Sequence, residues 1–130
     1  MPQTWIISAA INGFISVAAG AFAAHALHKR MSHEVLRIFE TAARYQMYHA
    51  LALLAVAWIA ARGQGGQSAV GPAANVAGWA FTIGIILFSG SLYALCLTGV
   101  SKLGAITPFG GVAFLVGWVA LTVAAFRMKS

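Results

Sequence analysis

Apolar residues run through this chain in four long stretches, and polar residues collect between them. The stretches cover roughly positions 5–27, 45–61, 73–98 and 107–126. A helix needs about 20 mostly apolar residues to cross a bilayer, so the pattern predicts four transmembrane helices, the second being the shortest. Thr107 followed by Pro108 is a helix-start signal for the fourth, with Thr107 as its cap. The Gly-rich run "RGQGGQSAVGP" separates the second stretch from the third.

The segment 33–44 has a different period. Placed on a helix at about 100° per residue, Val35, Leu36, Ile38, Phe39, Ala42 and Ala43 fill one arc, and His33, Glu34, Arg37, Glu40, Thr41 and Arg44 fill the other. Such a division predicts an amphipathic helix lying in the membrane interface, capped by Ser32, with its apolar arc towards the acyl chains. On this reading the chain turns into the bilayer just past Arg44. The expected architecture is an all-α integral membrane protein forming one domain over 1–130: four transmembrane helices in a bundle, plus one interfacial helix between the first and second.

Composition agrees. Hydrophobic residues make up 61% of the chain and charged residues 8%. A water-soluble domain carries about 25% charged residues, so this chain could not cover its surface in water. The opening "MPQTW" lacks the basic residues of a secretory signal, and the first stretch is read as a retained span. One cysteine, Cys96, rules out an intrachain disulfide.

The formal net charge of +6 raises nucleic acid as a partner. The basic residues instead flank apolar stretches, as they do in membrane loops, and no nucleic-acid partner is expected. Lys29, Arg30, Arg37, Arg44 and Lys102 fall on one side of the expected membrane; Arg62, Arg127 and Lys129 fall on the other. The positive-inside rule then puts the first side in the cytoplasm and both termini outside it. Lys29, Arg30 and Arg37 are the expected contacts with lipid headgroups.

The polar residues of the stretches suggest one layer of chemistry. His25 lies near the end of the first helix. His49 lies five residues past Arg44, about 7 Å deeper at 1.5 Å per residue. Antiparallel helices would bring both to a similar depth, where Cys96 and Thr107 arrive from the third and fourth helices. His25, Arg44, Tyr45, His49, Cys96 and Thr107 thus form a candidate polar layer, with His49 facing the first helix. In one reading these groups hydrogen-bond to one another, because an unpaired polar group in lipid costs several kcal/mol. In another, His25 and His49 relay protons or hold a haem or metal. Zinc sites usually need three or four ligands at recognisable spacing, and "HALH" alone supplies two. No metal or other cofactor is expected, and Cys96 reads as a packing residue. The stretches hold no Asp or Glu, which argues against an ordinary proton-coupled transporter. Small residues at four-residue spacing, Ser16, Gly20 and Ala24, then Ala113 and Gly117, suit close helix packing or self-association.

Four motifs in order carry a resemblance: "GAFAAHAL" (20–27), "RYQMYHALALL" (44–54), "FSGSLY" (88–93) and "ITPFGG" (106–111). They resemble the YgdD/YwdK-like family of small bacterial inner-membrane proteins, whose eukaryotic relatives are called transmembrane protein 256. The family pattern usually has glycines where this chain has Ala23 and Ala26. The resemblance implies a multi-spanning α-helical protein of the inner membrane and carries no activity with it. The expected role is therefore a non-enzymatic accessory or scaffold that contacts lipid, a second copy of itself or a membrane-protein partner. A small-solute or proton pathway through a His25/His49 layer is the alternative, and a haem- or metal-binding subunit is a third.

Overall fold

A computed structural model describes residues 1–67 and 69–129. Among these residues the chain is all helical: α1 (Pro2–His25), α2 (His33–Gln64), α3 (Gly71–Thr98) and α4 (Thr107–Phe126), with 3-10 turns at Leu27–Lys29 and Ser101–Ala105. Three stretches are long and apolar enough to cross a membrane: Pro2–Lys29, Gly71–Thr98 and Ser101–Phe126. Short connections make neighbouring helices antiparallel, and each packs on the next: α1 on α2, α2 on α3, α3 on α4.

The ends of the helices follow local rules. Ser32 caps α2 as its sequence position predicts, its hydroxyl accepting from the Val35 N–H at 3.2 Å. α3 ends where Gly99 takes a left-handed conformation (φ +72°) and returns its N–H to the Leu95 carbonyl at 2.8 Å. α4 begins at Thr107 with Pro108 in its first turn. Thr107 does not cap it, however, because its hydroxyl is turned to α3.

α2 corrects the expected turn at Arg44. The predicted interfacial helix and the predicted second span are one unbroken helix of 32 residues. Nothing between Ser32 and Gly63 breaks a helix, and one buried stripe runs along it through Phe39, Ala42, Gln46, His49, Leu53, Val56 and Ala60. The apolar arc of 33–44 therefore meets protein first. Phe39 is buried in a small core with Ala23, Leu27 and Cys96, while Arg37, Glu40 and Arg44 stay exposed. The larger core lies among α2, α3 and α4 and takes Trp5 from α1.

α3 and α4 fit by shape. Phe81 of α3 seats on Gly117, Phe114 of α4 on Gly84, and Phe88 of α3 on Gly110. As one number rises the other falls by the same step, which sets the antiparallel register. A Cβ at Gly117 would lie 2.5 Å from the Phe81 ring, and a Cβ at Gly110 would run into the backbone of Phe88. Of the small residues expected to form close-packing stripes, Gly117 is used in this way. Ser16 is buried and donates to the Ala43 carbonyl at 2.7 Å, whereas Gly20 faces open space. Trp5 is a core residue: it is buried over Gly78, and its indole N–H donates to Asn75 Oδ1 at 3.0 Å. Trp58 and Trp79 are exposed.

Candidate functional site

The predicted polar layer separates into independent parts. His25 is exposed at the end of α1, and Arg44 is exposed on α2. Cys96 is buried, its thiol donating to the Val35 carbonyl at 3.4 Å. Thr107 lies 2.6 Å from the Ser91 hydroxyl. Ser91 already donates its one proton to the Phe88 carbonyl at 3.0 Å, so Thr107 is the donor.

His49 is buried, but it faces α3 and α4 rather than α1. The reason is rotational: Gln46, Leu53 and Ala57 take the positions that meet the other helices, and His49 is left beside the aromatic side of the α3/α4 seam. Its ring lies flat on Phe114, with centroids 3.5 Å apart and planes 3° off parallel. Phe81 and Tyr45 pack at its other edges. Both ring nitrogens are engaged. The Trp118 indole donates to Nε2 at 3.2 Å, so Nε2 carries no proton. Nδ1 then holds the proton and donates to the Tyr45 carbonyl at 2.7 Å. This is a neutral imidazole with no free lone pair for a metal. Among the described residues no three His, Cys, Asp or Glu side chains gather closely enough to hold a metal ion.

A second polar system joins three helices. The Tyr93 hydroxyl of α3 donates to Gln46 Oε1 of α2 at 2.7 Å, and Gln46 Nε2 donates to Asn12 Oδ1 of α1 at 3.0 Å. Asn12 Nδ2 donates to the Ser8 carbonyl at 2.9 Å and reaches the Ser8 hydroxyl at 3.5 Å. That hydroxyl lies 3.3 Å from Thr82 Oγ1, which itself donates to the Gly78 carbonyl at 2.9 Å. Thr82 has spent its proton, so Ser8 is the donor between them. Every donor points the same way, from Tyr93 to Gly78, across about 22 Å of α3 at 1.5 Å per residue. Sequence reasoning passed over Gln46 and Asn12 because neither titrates or ligates. The available signal was spacing: Gln46, Leu53 and Ala57 share the buried stripe of α2, and a glutamine among them must find partners.

Between α2 and α4 a groove of about 760 Å³ opens to the surroundings. Tyr48 and Leu51 form one wall, Pro108, Gly111 and Leu115 the other; Phe114, His49 and Trp118 lie along it. Its lining is almost wholly apolar.

Long apolar helices that satisfy their polar side chains internally define a helical protein of the membrane class. The chain belongs to the family described as Protein of unknown function (DUF423), whose model matches residues 19–111. It is 45% identical over 125 residues to the UPF0382 membrane protein YwdK of Bacillus subtilis, covering 96% of this chain and 98% of that protein. It is 46% identical over 125 residues to the UPF0382 membrane protein SAB0533 of Staphylococcus aureus, covering 96% and 97%. A relative in Staphylococcus saprophyticus, SSP2132, is 43% identical over 126 residues, covering 97% and 99%. No solved structure matches the chain.

Proposed function

We propose that this protein is a non-enzymatic accessory or scaffold of the bacterial inner membrane, a four-span bundle that contacts lipid and a membrane partner or second copy. α2 supplies the fourth span. It lies antiparallel between α1 and α3, both apolar enough to cross, and a segment flanked this way shares their depth. The first turns of α2, with Arg37 and Glu40 exposed, extend to the headgroups on the side of Lys29 and Arg30. That side faces the cytoplasm, and both termini lie outside.

The observation that carries the reading is the internal closure of the His49 and Gln46 polar systems. His49 has both nitrogens occupied by protein. The Tyr93–Gly78 chain passes through the side-chain amides of Gln46 and Asn12, which neither release nor take up a proton near neutrality and so interrupt a proton relay. Polar interiors of this kind hold helices together in lipid.

Reconstitution tests the reading. Liposomes carrying the protein should keep an imposed proton gradient as long as empty liposomes do, and the purified protein should show no visible absorbance. A leak abolished by His49→Gln would overturn it in favour of a pathway. A chromophore lost in the same variant would overturn it in favour of a haem subunit.

A further inference from the structure

Arg44, Tyr48 and Leu51 stand at i, i+4 and i+7 on α2, so they share one face. Tyr48 and Leu51 wall the groove between α2 and α4; Arg44, exposed one turn before Tyr48, stands beside its upper half, from where a long side chain extends towards the headgroups. On α4 the groove begins at Pro108, in the first turn, and ends at Trp118. Ten residues of helix make about 15 Å. The hydrocarbon core of a bilayer is about 30 Å thick, so the groove has the length of one leaflet. It opens where α4 meets the headgroups and closes near mid-depth, where Trp118 bonds His49.

From this geometry we infer, building on the four-span reading, that the groove is a binding site for one anionic phospholipid of the leaflet on the Arg44 side. Its phosphate sits at Arg44, within reach of the exposed Tyr45 and Tyr48 side chains, and an acyl chain lies along Leu51, Leu115 and Trp118. A guanidinium and a phosphate pair in a bidentate manner. Charge selects the headgroup. Lys29, Arg30, Arg37, Arg44 and Lys102 outnumber Glu34 and Glu40 on this side. A zwitterionic lipid would bring its own ammonium into that field, whereas an anionic one brings none, and each basic residue near the surface contributes about 1 kcal/mol of attraction. The volume, about 760 Å³, falls in the range of ligand pockets, roughly 300–1,000 Å³.

Gly111 offers a clean way to close the site. A Cβ built there meets nothing within 4 Å, so the side chain of Gly111→Leu starts into the open groove. The test uses the full-length protein in phosphatidylcholine nanodiscs with and without phosphatidylglycerol, read by native mass spectrometry of the released protein. The wild type should retain one phosphatidylglycerol in preference to phosphatidylcholine. Arg44→Gln, an exposed change that leaves packing alone, should weaken that retention roughly fivefold, the effect of one basic residue at the surface. Gly111→Leu should abolish it while unfolding at the wild-type temperature in lipid-free detergent; Arg127→Gln, at the other end of α4, should change nothing. Equal retention of the two lipids, or phosphatidylglycerol held normally by Arg44→Gln or Gly111→Leu, would overturn the assignment. So would a dimer that Gly111→Leu dissociates, which would give the groove to a second copy. A proton leak with lipid retention intact would remove the scaffold reading and leave this site standing.

Discussion

α3 is held on its two sides by different means. Towards α4 it presents Phe81 and receives Phe114, each ring seated on a glycine of the facing helix, and its backbone at Phe88 lies against Gly110. Towards α1 and α2 it presents Tyr93, Ser89 and Thr82, which bond to Gln46, the Ala42 carbonyl and Ser8. In lipid there is little hydrophobic gain from bringing two helices together, because acyl chains are as apolar as leucine. What remains is close packing and hydrogen bonding: ring-on-glycine packing predominates in the α4 seam, and hydrogen bonds predominate in the other, where Trp5 also sits over Gly78. The shape-fitted seam cannot tolerate added volume. The bonded seam cannot tolerate a lost partner. α1 depends most on the second, since few of its residues are buried: Trp5, Ala9, Ser16 and Ala23.

The hardest blow to the fitted seam is Gly110→Val. The new side chain would overlap the backbone of Phe88, and backbone cannot rotate away as a ring can. Overpacking of this kind typically costs 1–3 kcal/mol and occasionally more; about 3 kcal/mol is expected here. Thermal unfolding in detergent should show it, and cysteines introduced across the α3/α4 seam should crosslink less. Gly111→Val, one position on and facing open space, should be nearly silent. If both variants behave alike, the Phe/Gly register is wrong.

His49 sits at the edge of the fitted seam yet is bonded as the other seam is, so it tests whether the two are separable. His49→Ala removes the Phe114 stack and strips the Trp118 indole of its acceptor. A loss of roughly 2–3 kcal/mol is expected for an aromatic truncation that also leaves a donor unpaired. His49→Gln can still accept from Trp118 through its oxygen and should recover part of the loss. No recovery with Gln would show that stacking alone matters at this position.

The bonded seam is tested by Gln46→Leu, which keeps the size and removes the acceptor of Tyr93 and the donor to Asn12. Unpaired buried groups cost about 1–3 kcal/mol, but hydrogen bonds between membrane helices measure nearer 0.6 kcal/mol each. Two such bonds put the expected loss near 1–2 kcal/mol. It should appear mainly as loosening of α1, seen as faster proteolysis or as faster labelling of a cysteine placed at Gly13, where a Cβ meets nothing within 4 Å. Uniform loosening of all four helices would erase the distinction between the seams.

The same contrast explains what could be read from the sequence. Lengths and apolar runs predict elements that end close to where they do: α3 and α4 match the expected stretches within two residues at each end. The expected turn at Arg44 is absent because amphipathicity does not by itself mean lipid contact. Phe39 and Ala42 form the same pattern when the apolar arc faces Ala23 and Cys96 on neighbouring helices. Periodicity reports a buried face and says nothing about what buries it. The polar layer failed for a related reason. Depth measured from the charged residues places His25 and His49 together, but which way a side chain points depends on helix rotation. Rotation was settled by the glycines: Gly84, Gly110 and Gly117 fix how α4 lies on α3, and α4 then captures His49. The groups that join three helices, Gln46 and Asn12, do not titrate, so the sequence carries no chemical mark of their role.

The smallest effect expected is at a hydrogen bond that crosses the fitted seam. Thr107 donates to Ser91 at 2.6 Å, and Ser91 donates onward to the Phe88 carbonyl. Thr107→Val keeps the branched shape and removes only the first donor. Ser91 stays satisfied as a donor, so no proton is orphaned, and the loss should be close to the roughly 0.6 kcal/mol average for such bonds. The seam would still be locked by its three Phe/Gly contacts, so the variant should unfold within a few degrees of the wild type. Combining it with Gly110→Val should then cost less than the two losses added, because the bond no longer forms once the helices have been pushed apart. Full additivity would mean that the first turn of α4 is held independently of the Phe/Gly register.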